Sequence, residues 1–162
     1  MNGTGSGRFD PDVSASRAMI VTMLWRMEGE PEANGRLDFT DVEPDSWYAP
    51  AVCWSVSRGI ASGYSETAFG PNDSVTREQL VTILHRFAQY KGADVNIGEG
   101  TNILSYSDAA TVSAFAVPAM QWAAGSGLVS GRTSETLNPK DTATRAEIAT
   151  IIMRYCEMAA EI

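Results

Sequence analysis

Two cysteines and one histidine are all the thiol and imidazole chemistry that 162 residues carry. Cys53 and Cys156 lie far apart, outside any CxxC spacing, and neither has a histidine nearby. A zinc or redox motif is therefore unsupported, no metal or cofactor is expected, and two buried free thiols are. No run of lysines or arginines occurs, and twelve bases against twenty acids leave a net charge of −8. A general duplex binder shows a basic face, so nucleic acid is not an expected partner. No apolar stretch is long enough to span a bilayer. No basic segment followed by an apolar one stands at the start of the sequence. Gly3-Thr-Gly-Ser-Gly7 is glycine-rich but lacks the lysine and helix register of a phosphate loop, and reads as a flexible turn. What is present is a folding composition: 44% hydrophobic and 20% charged residues.

The chain repeats itself. Phe9-Asp-Pro11, Phe69-Gly-Pro71 and Leu137-Asn-Pro139 each precede an arginine by the same interval, giving Arg17, Arg77 and Arg145. A hydroxyl residue stands before each arginine: Ser16, Thr76 and Thr144. Downstream, apolar residues recur on one helical stripe: Ile20, Met23, Leu24, Met27; Leu80, Ile83, Leu84, Phe87; Ile148, Ile151, Ile152, Tyr155. Thr144-Arg-Ala-Glu147 has capping-box spacing, Thr76-Arg-Glu-Gln79 is its glutamine version, and Ser16-Arg-Ala-Met19 keeps only the cap. Helices are predicted over 17–28, 77–90 and 145–159. A second arginine follows in each, Arg26, Arg86 and Arg154, suited to a helix C-terminus.

A second shared block lies upstream. Phe39-Thr-Asp41, Trp47-Tyr-Ala-Pro50 and Trp54 through Gly63 match Tyr106-Ser-Asp108, Phe115-Ala-Val-Pro118 and Trp122 through Gly131, with one residue inserted before Phe115. Each proline falls in the first turn of a predicted helix, 48–58 and 116–126, and Gly59 and Gly127 stop those helices. The first repeat keeps only the end of this block, because few residues precede Phe9. Residues 29–38 and 92–105 read as linkers between repeats.

Phe39-Thr-Asp41-Val42, Trp47, Gly59-Ile60-Ala-Ser-Gly63, Phe69-Gly-Pro71, Thr76-Arg77-Glu78-Gln79 and Thr144-Arg145-Ala146-Glu147 together resemble the S-layer homology domain. The resemblance covers nearly the whole chain: a half repeat at 1–30 and full repeats at 38–91 and 105–160, together one compact domain. It implies a mostly α fold, a pseudo-threefold bundle of helix–loop–helix repeats. It implies a non-enzymatic extracellular anchor on the bacterial cell wall, whose partner is a secondary cell-wall polysaccharide, often pyruvylated. Departures stand at Met19, Phe115 and Leu137, so not every repeat need bind.

The residues themselves support such chemistry. An arginine at the first helical position adds a guanidinium to free backbone N–H groups and the positive end of the helix dipole. Guanidinium grips a carboxylate bidentately, and a pyruvate ketal supplies one. Arg77, Arg145 and Arg17 are therefore candidate polysaccharide-binding residues, in that order, with Asp41, Asp108, Trp47, Gly63 and Gly131. Other readings remain open. The arginines can bridge a carboxylate of the neighbouring repeat, the aspartates can cap turns, the glycines can serve the turns, and Trp47 can belong to core or groove. Trp25, Trp54 and Trp122 sit in apolar helical stretches and read as core.

Catalysis finds no foothold. His85 aligns with Trp25 and Met153, so no catalytic histidine recurs. The serines of GIASG and GLVSG stand wrongly for a nucleophile elbow. The acids of Asp41-Val-Glu43-Pro-Asp45 crowd one turn with no apolar pocket to raise a pKa. The rival to a carbohydrate anchor is a structural or protein–protein module. Because the first repeat lacks its first helix, the apolar face of helix 17–28 is expected to be bare, and self-association through it is expected.

Overall fold

The fold was analysed in a computed structural model that describes residues 8–33, 35, 38–96 and 102–160. The turn expected at Gly3–Gly7 lies outside the described residues. Among the described residues the regular structure is helical: α1 (Arg17–Met27), α2 (Ala49–Ser57), α3 (Arg77–Tyr90), α4 (Val117–Gly125) and α5 (Arg145–Ala160). Short 3₁₀ turns at Ile103–Ser105, Ala109–Thr111 and Ala114–Ala116 lead into α4. Among the described residues extended pairing is confined to single bridges, Ser14 with Thr144, Ser16 with Ser74, and Thr76 with Thr142. No described helix is long and apolar enough to cross a membrane.

The helix starts follow their caps. Thr76 accepts from the Gln79 N–H at 3.3 Å while Gln79 Oε1 accepts from the Thr76 N–H at 3.2 Å. Thr144 and Glu147 repeat the exchange at 3.2 and 2.8 Å. Ser16 accepts from the Met19 N–H alone. Gly59 and Gly127 follow α2 and α4 with φ near +70°, a conformation that carries little strain only for glycine. The middle residue of each FxP triplet is also left-handed: Asp10, Gly70 and Asn138, the three residue types that best tolerate it.

The chain divides into two compact units, residues 15–75 and residues 1–14 with 76–162. In the first, α1 packs against α2. Ala18, Ile20, Val21 and Leu24 are closed off, as are Trp54, Ile60 and Phe69. In the second, α3 packs against α4, and the Phe87 ring lies 5.7 Å from Tyr155 of α5. Leu80, Leu84, Met120, Leu128, Leu137 and Ile148 fill that interior.

Three expectations are corrected. The apolar face of helix 17–28 is not bare: α2, the first helix of the following repeat, lies on it. The covering helix thus comes from the next repeat, not the same one, which removes the ground for self-association there. Met27, near the helix end, alone of the α1 stripe stays exposed. Cys156, on α5, is exposed, and Cys53 is buried. Trp54 and Trp122 are core, but Trp25 is half-buried and donates from its indole N–H to the Pro31 carbonyl at 2.9 Å.

Candidate functional site

Each predicted arginine begins a helix, and each guanidinium turns away from water. Arg17, Arg77 and Arg145 are 4%, 5% and 3% exposed. The reason is the loop that meets each helix N-terminus. The N–H groups of Arg17 and Ala18 donate to the Asp73 and Pro71 carbonyls. Those of Arg77 and Glu78 donate to Asp141 and Pro139, and those of Arg145 and Ala146 to Val13 and Pro11. The FxP loop of one repeat thereby satisfies the orphan helix donors of another, and the arginine side chain follows the same path.

Arg17 donates through Nε to the Phe69 carbonyl at 3.0 Å and through a terminal nitrogen to the Ser62 carbonyl at 2.7 Å. Arg77 does the same to Leu137 at 3.0 Å and Ser130 at 3.0 Å. Arg145 donates to Phe9 at 2.9 Å, over whose ring it also lies. Burial draws the Arg17 and Arg77 pKa values down from the ordinary guanidinium value, opposed by the charge of neighbouring acids and, for Arg17, Tyr64. Helix-start arginines thus join repeats through backbone carbonyls, and Arg77 also meets the Glu147 carboxylate of the following repeat, the kind of bridge left open above.

The aspartates sit opposite them on the same turns. Asp41 accepts from the Phe69 N–H at 2.9 Å and the Gly70 N–H at 2.7 Å. Asp108 accepts from Leu137 at 2.8 Å and Asn138 at 2.7 Å. Burial alone would raise the Asp41 pKa; the Phe69 and Gly70 N–H groups and Arg17 outweigh it and hold it below the usual carboxylate range. The FxP turn is therefore clamped from both sides: carboxylate on its N–H groups, guanidinium on its carbonyl.

Gly63 and Gly131 stand where that turn closes on the upstream aromatic. A Cβ on Gly63 would come within 2.5 Å of the Phe39 ring and 2.6 Å of the Ala68 carbonyl oxygen. One on Gly131 would strike the Thr133 carbonyl and come within 2.8 Å of the Tyr106 ring. The structure thus gathers Arg17, Asp41 and Gly63 around one turn, and Arg77, Asp108 and Gly131 around its counterpart. Trp47 stands apart from its cluster, edge-on to Tyr48 and 56% exposed. Its counterpart Phe115 is 55% exposed, so this aromatic position faces solvent in both full repeats.

Two features escaped the sequence reading. Arg132, next to Gly131, donates to Glu147 at 3.2 Å, to Asp141 at 3.1 Å and to the Thr142 carbonyl at 3.0 Å. Glu147 also accepts from Arg77 at 2.9 Å. Arg132 aligns with Tyr64, whose ring covers Arg17 at 4.5 Å, so the two repeats fill one place with different chemistry and alignment hides it. Burial would raise the Glu147 pKa, but the Thr144 N–H, Arg77 and Arg132 bring it below its ordinary value. The second feature is buried Glu78, which accepts from the Ser113 N–H at 3.0 Å and from Lys140 at 2.6 Å, anchoring the entry to α4.

Beside Arg132 opens a cavity of about 270 Å³. Its wall includes Arg77, Leu128 through Arg132, Glu147, Thr150 and Arg154. Arg154 donates to the Leu128 carbonyl at 3.2 Å. Three arginines and one carboxylate thus line a pocket of a chain whose net charge is −8. No group of histidine, cysteine and acidic side chains suited to a metal ion occurs among the described residues.

Comparison with known proteins places these features in a wider set. The family model of the S-layer homology domain matches residues 38–81 and 105–149, just over half of the chain. The Surface-layer 125 kDa protein of Lysinibacillus sphaericus is 32% identical over 97% of this chain. An amylopullulanase of Thermoanaerobacterium thermosulfurigenes is 32% identical over the full chain. A cellulosome-anchoring protein of Acetivibrio thermocellus is 24% identical over 97%. The chain spans 13%, 8% and 35% of those proteins' own lengths.

Proposed function

The chain belongs to the S-layer homology family, and from that premise we propose that it is a non-catalytic anchoring module that holds a cell-wall polysaccharide non-covalently. Its coarse role follows from the family: a cell-surface, cell-wall-associated anchor. The finer reading assigns a binding partner and a place to bind it.

The observation that carries the reading is the Arg77, Arg132 and Arg154 pocket. The chain as a whole repels an anionic polymer, yet three arginines and one carboxylate line this pocket, a local excess of positive charge. Local field decides such contacts more than net charge does. Arg132 is about one-third exposed, and release of its Asp141 contact frees one side of the guanidinium for a sugar carboxylate such as a pyruvate ketal. Leu128, Val129 and Gly131 line the apolar side. Arg77 and Gly131, two of the sequence candidates, both line this pocket. Trp47 supplies a separate exposed ring for a sugar face. Arg17, Arg145, Asp41, Asp108 and Gly63 hold the loops in place.

The test is retention on purified cell-wall sacculi, before and after acid extraction of the polymer. Retention should fall on extraction. It should fall again when Arg132→Ala is compared with the unaltered chain, by roughly tenfold, the worth of one charge-assisted hydrogen bond. Retention untouched by extraction would instead favour a protein–protein module.

A further inference from the structure

Arg132 donates from every nitrogen of its guanidinium. Nε–H and one Nη2 hydrogen go to Glu147, each at 3.2 Å, and the other Nη2 hydrogen goes to the Thr142 carbonyl at 3.0 Å. Nη1 donates to Asp141 at 3.1 Å. That accounts for all of its N–H groups but one, which is also on Nη1. The nitrogen that Arg132 can still offer an anion is therefore the one that Asp141 holds.

The two acids are not held alike. Glu147 also accepts from the Thr144 N–H at 2.8 Å and from Arg77 at 2.9 Å, and its side chain is 26% exposed. The Asp141 side chain is 47% exposed, and Arg132 is its one ion-pair partner among the described residues. An ion pair that open to water is weak. The pairing also belongs to one repeat. Asp73 stands at the position aligned with Asp141, but Tyr64 stands at that of Arg132. The turn keeps its acid where no arginine meets it, so the Asp141–Arg132 contact is additional to the turn's own structure. Arg154 lines the same pocket. Its Nη1 donates to the Gly127 and Leu128 carbonyls at 3.4 and 3.2 Å, and no carboxylate pairs with it among the described residues.

We propose that Asp141 is a specificity-determining residue of this pocket, a tethered carboxylate that a ligand carboxylate must displace from Arg132 Nη1. The proposal rests on the polysaccharide-binding reading above. Exchanging one carboxylate for another on the same nitrogen gains little, so an anion binds by what else it touches. Arg154 offers a second cation, and Leu128 and Val129 offer apolar wall. A carboxylate carried on a sugar ring brings contacts of both kinds, and a small free carboxylate brings fewer, so the tether selects against it. Apparent affinity is the intrinsic one multiplied by the fraction of molecules in which Asp141 has let go.

The experiment titrates a methyl hexoside bearing a pyruvate ketal with the unaltered chain and with Asp141→Ala, at neutral pH and fixed salt. Binding is read from the ketal methyl proton resonance, which reports weak binding as well as tight. Affinity should rise about fivefold on substitution, the scale of an exposed ion pair. Removing any acid near a pocket also strengthens the field there. The same change is therefore made in an Arg132→Ala chain, where little or no gain is expected because no Nη1 is left to compete for. Unchanged affinity of Asp141→Ala, or an equal gain in the two backgrounds, would overturn the proposal. If Asp141→Ala does not fold, Asp141→Asn, which keeps the shape and loses the charge, is titrated instead, with a smaller gain expected and none refuting it. Pyruvate itself, titrated in the same way, separates this proposal from the polymer reading. If no form binds the hexoside, the polymer reading fails. Tighter binding of pyruvate by Asp141→Ala than by the unaltered chain would then still support displacement, and equal or absent binding would refute it.

Discussion

Arg77 donates its Nε–H to the carbonyl oxygen of Leu137 at 3.0 Å, across 60 positions of sequence. Arg17 to Phe69 and Arg145 to Phe9 repeat the contact at 3.0 and 2.9 Å. A residue type that points to ligand recognition is used here to fasten one repeat to another. The choice of arginine follows from the geometry. One planar fork reaches two or three acceptors held at fixed separation, and burial makes each of those bonds expensive to lose.

Replacing Arg77 should therefore disturb folding before it disturbs binding. Arg77→Ala leaves the Leu137 and Ser130 carbonyls and Glu147 without this partner in a closed environment. A loss of about 3 kcal/mol is expected, since breaking a buried charged network costs several kcal/mol. Arg77→Lys should recover little of it, because a single ammonium cannot span all three acceptors. Denaturant midpoints for the three proteins settle the matter; midpoints within error of one another would return Arg77 to a purely ligand-facing role.

Acid should loosen the fold by a predictable route. Asp41 and Glu147 both hold their protons less tightly in the folded chain than their ordinary values. A depressed folded value means stability that is fully present above the unfolded pKa, about 4 for these groups, and lost as pH falls through the folded one. Unfolding free energy should thus be flat near neutrality and drop below about pH 4. Asp41→Asn together with Glu147→Gln should be less stable at pH 7 and show a shallower drop. A double variant with the unaltered pH slope would show that other groups carry the effect.

Most of the local structure was legible because it is written in short-range chemistry repeated several times. The caps Thr76–Gln79 and Thr144–Glu147, the stops at Gly59 and Gly127, and the stripe residues Leu80, Leu84 and Phe87 need only neighbours within a turn or two. The fate of the guanidinium groups was not legible, because their acceptors are backbone carbonyls, which every residue has. Which long helix each short helix covers was equally hidden, since α2 fits α1 by surface shape across repeats. Arg132 was missed because its aligned partner is Tyr64, and Cys156 because its aligned position is buried on α3.

Two kinds of glycine should separate cleanly. A Cβ on Gly63 or Gly131 meets backbone carbonyl oxygen, which cannot rotate away. Gly63→Ala and Gly131→Ala should each cost about 2–3 kcal/mol, as overpacking does. Gly59 has positive φ but nothing within 4 Å of a Cβ, so Gly59→Ala should cost only about 1 kcal/mol of backbone strain. Thermal melts rank the three. A Gly59 variant as destabilised as the other two would mean that conformation, not crowding, selects glycine at all these sites.

Trp47, just before α2, and Trp54, within it, make the sharpest contrast between stability and binding. Trp54 is fully closed off within the α1 and α2 unit, so Trp54→Ala opens a large void and should cost about 3–5 kcal/mol. Trp47 is mostly in water, its ring edge-on to Tyr48. Trp47→Ala should change stability by no more than about 0.5 kcal/mol, the usual scale for an exposed site. If Trp47 carries a sugar face, the same substitution should lower retention on sacculi by roughly fivefold, about 1 kcal/mol of ring contact. Trp47→Phe should keep most of that retention, because Phe115 occupies the equivalent place in the third repeat at the same exposure. The discriminating result is the pair of measurements on Trp47→Ala. Unchanged melting with reduced retention assigns the ring to the polymer. Unchanged melting with unchanged retention removes Trp47 from the binding surface and leaves the arginine-lined pocket to account for it.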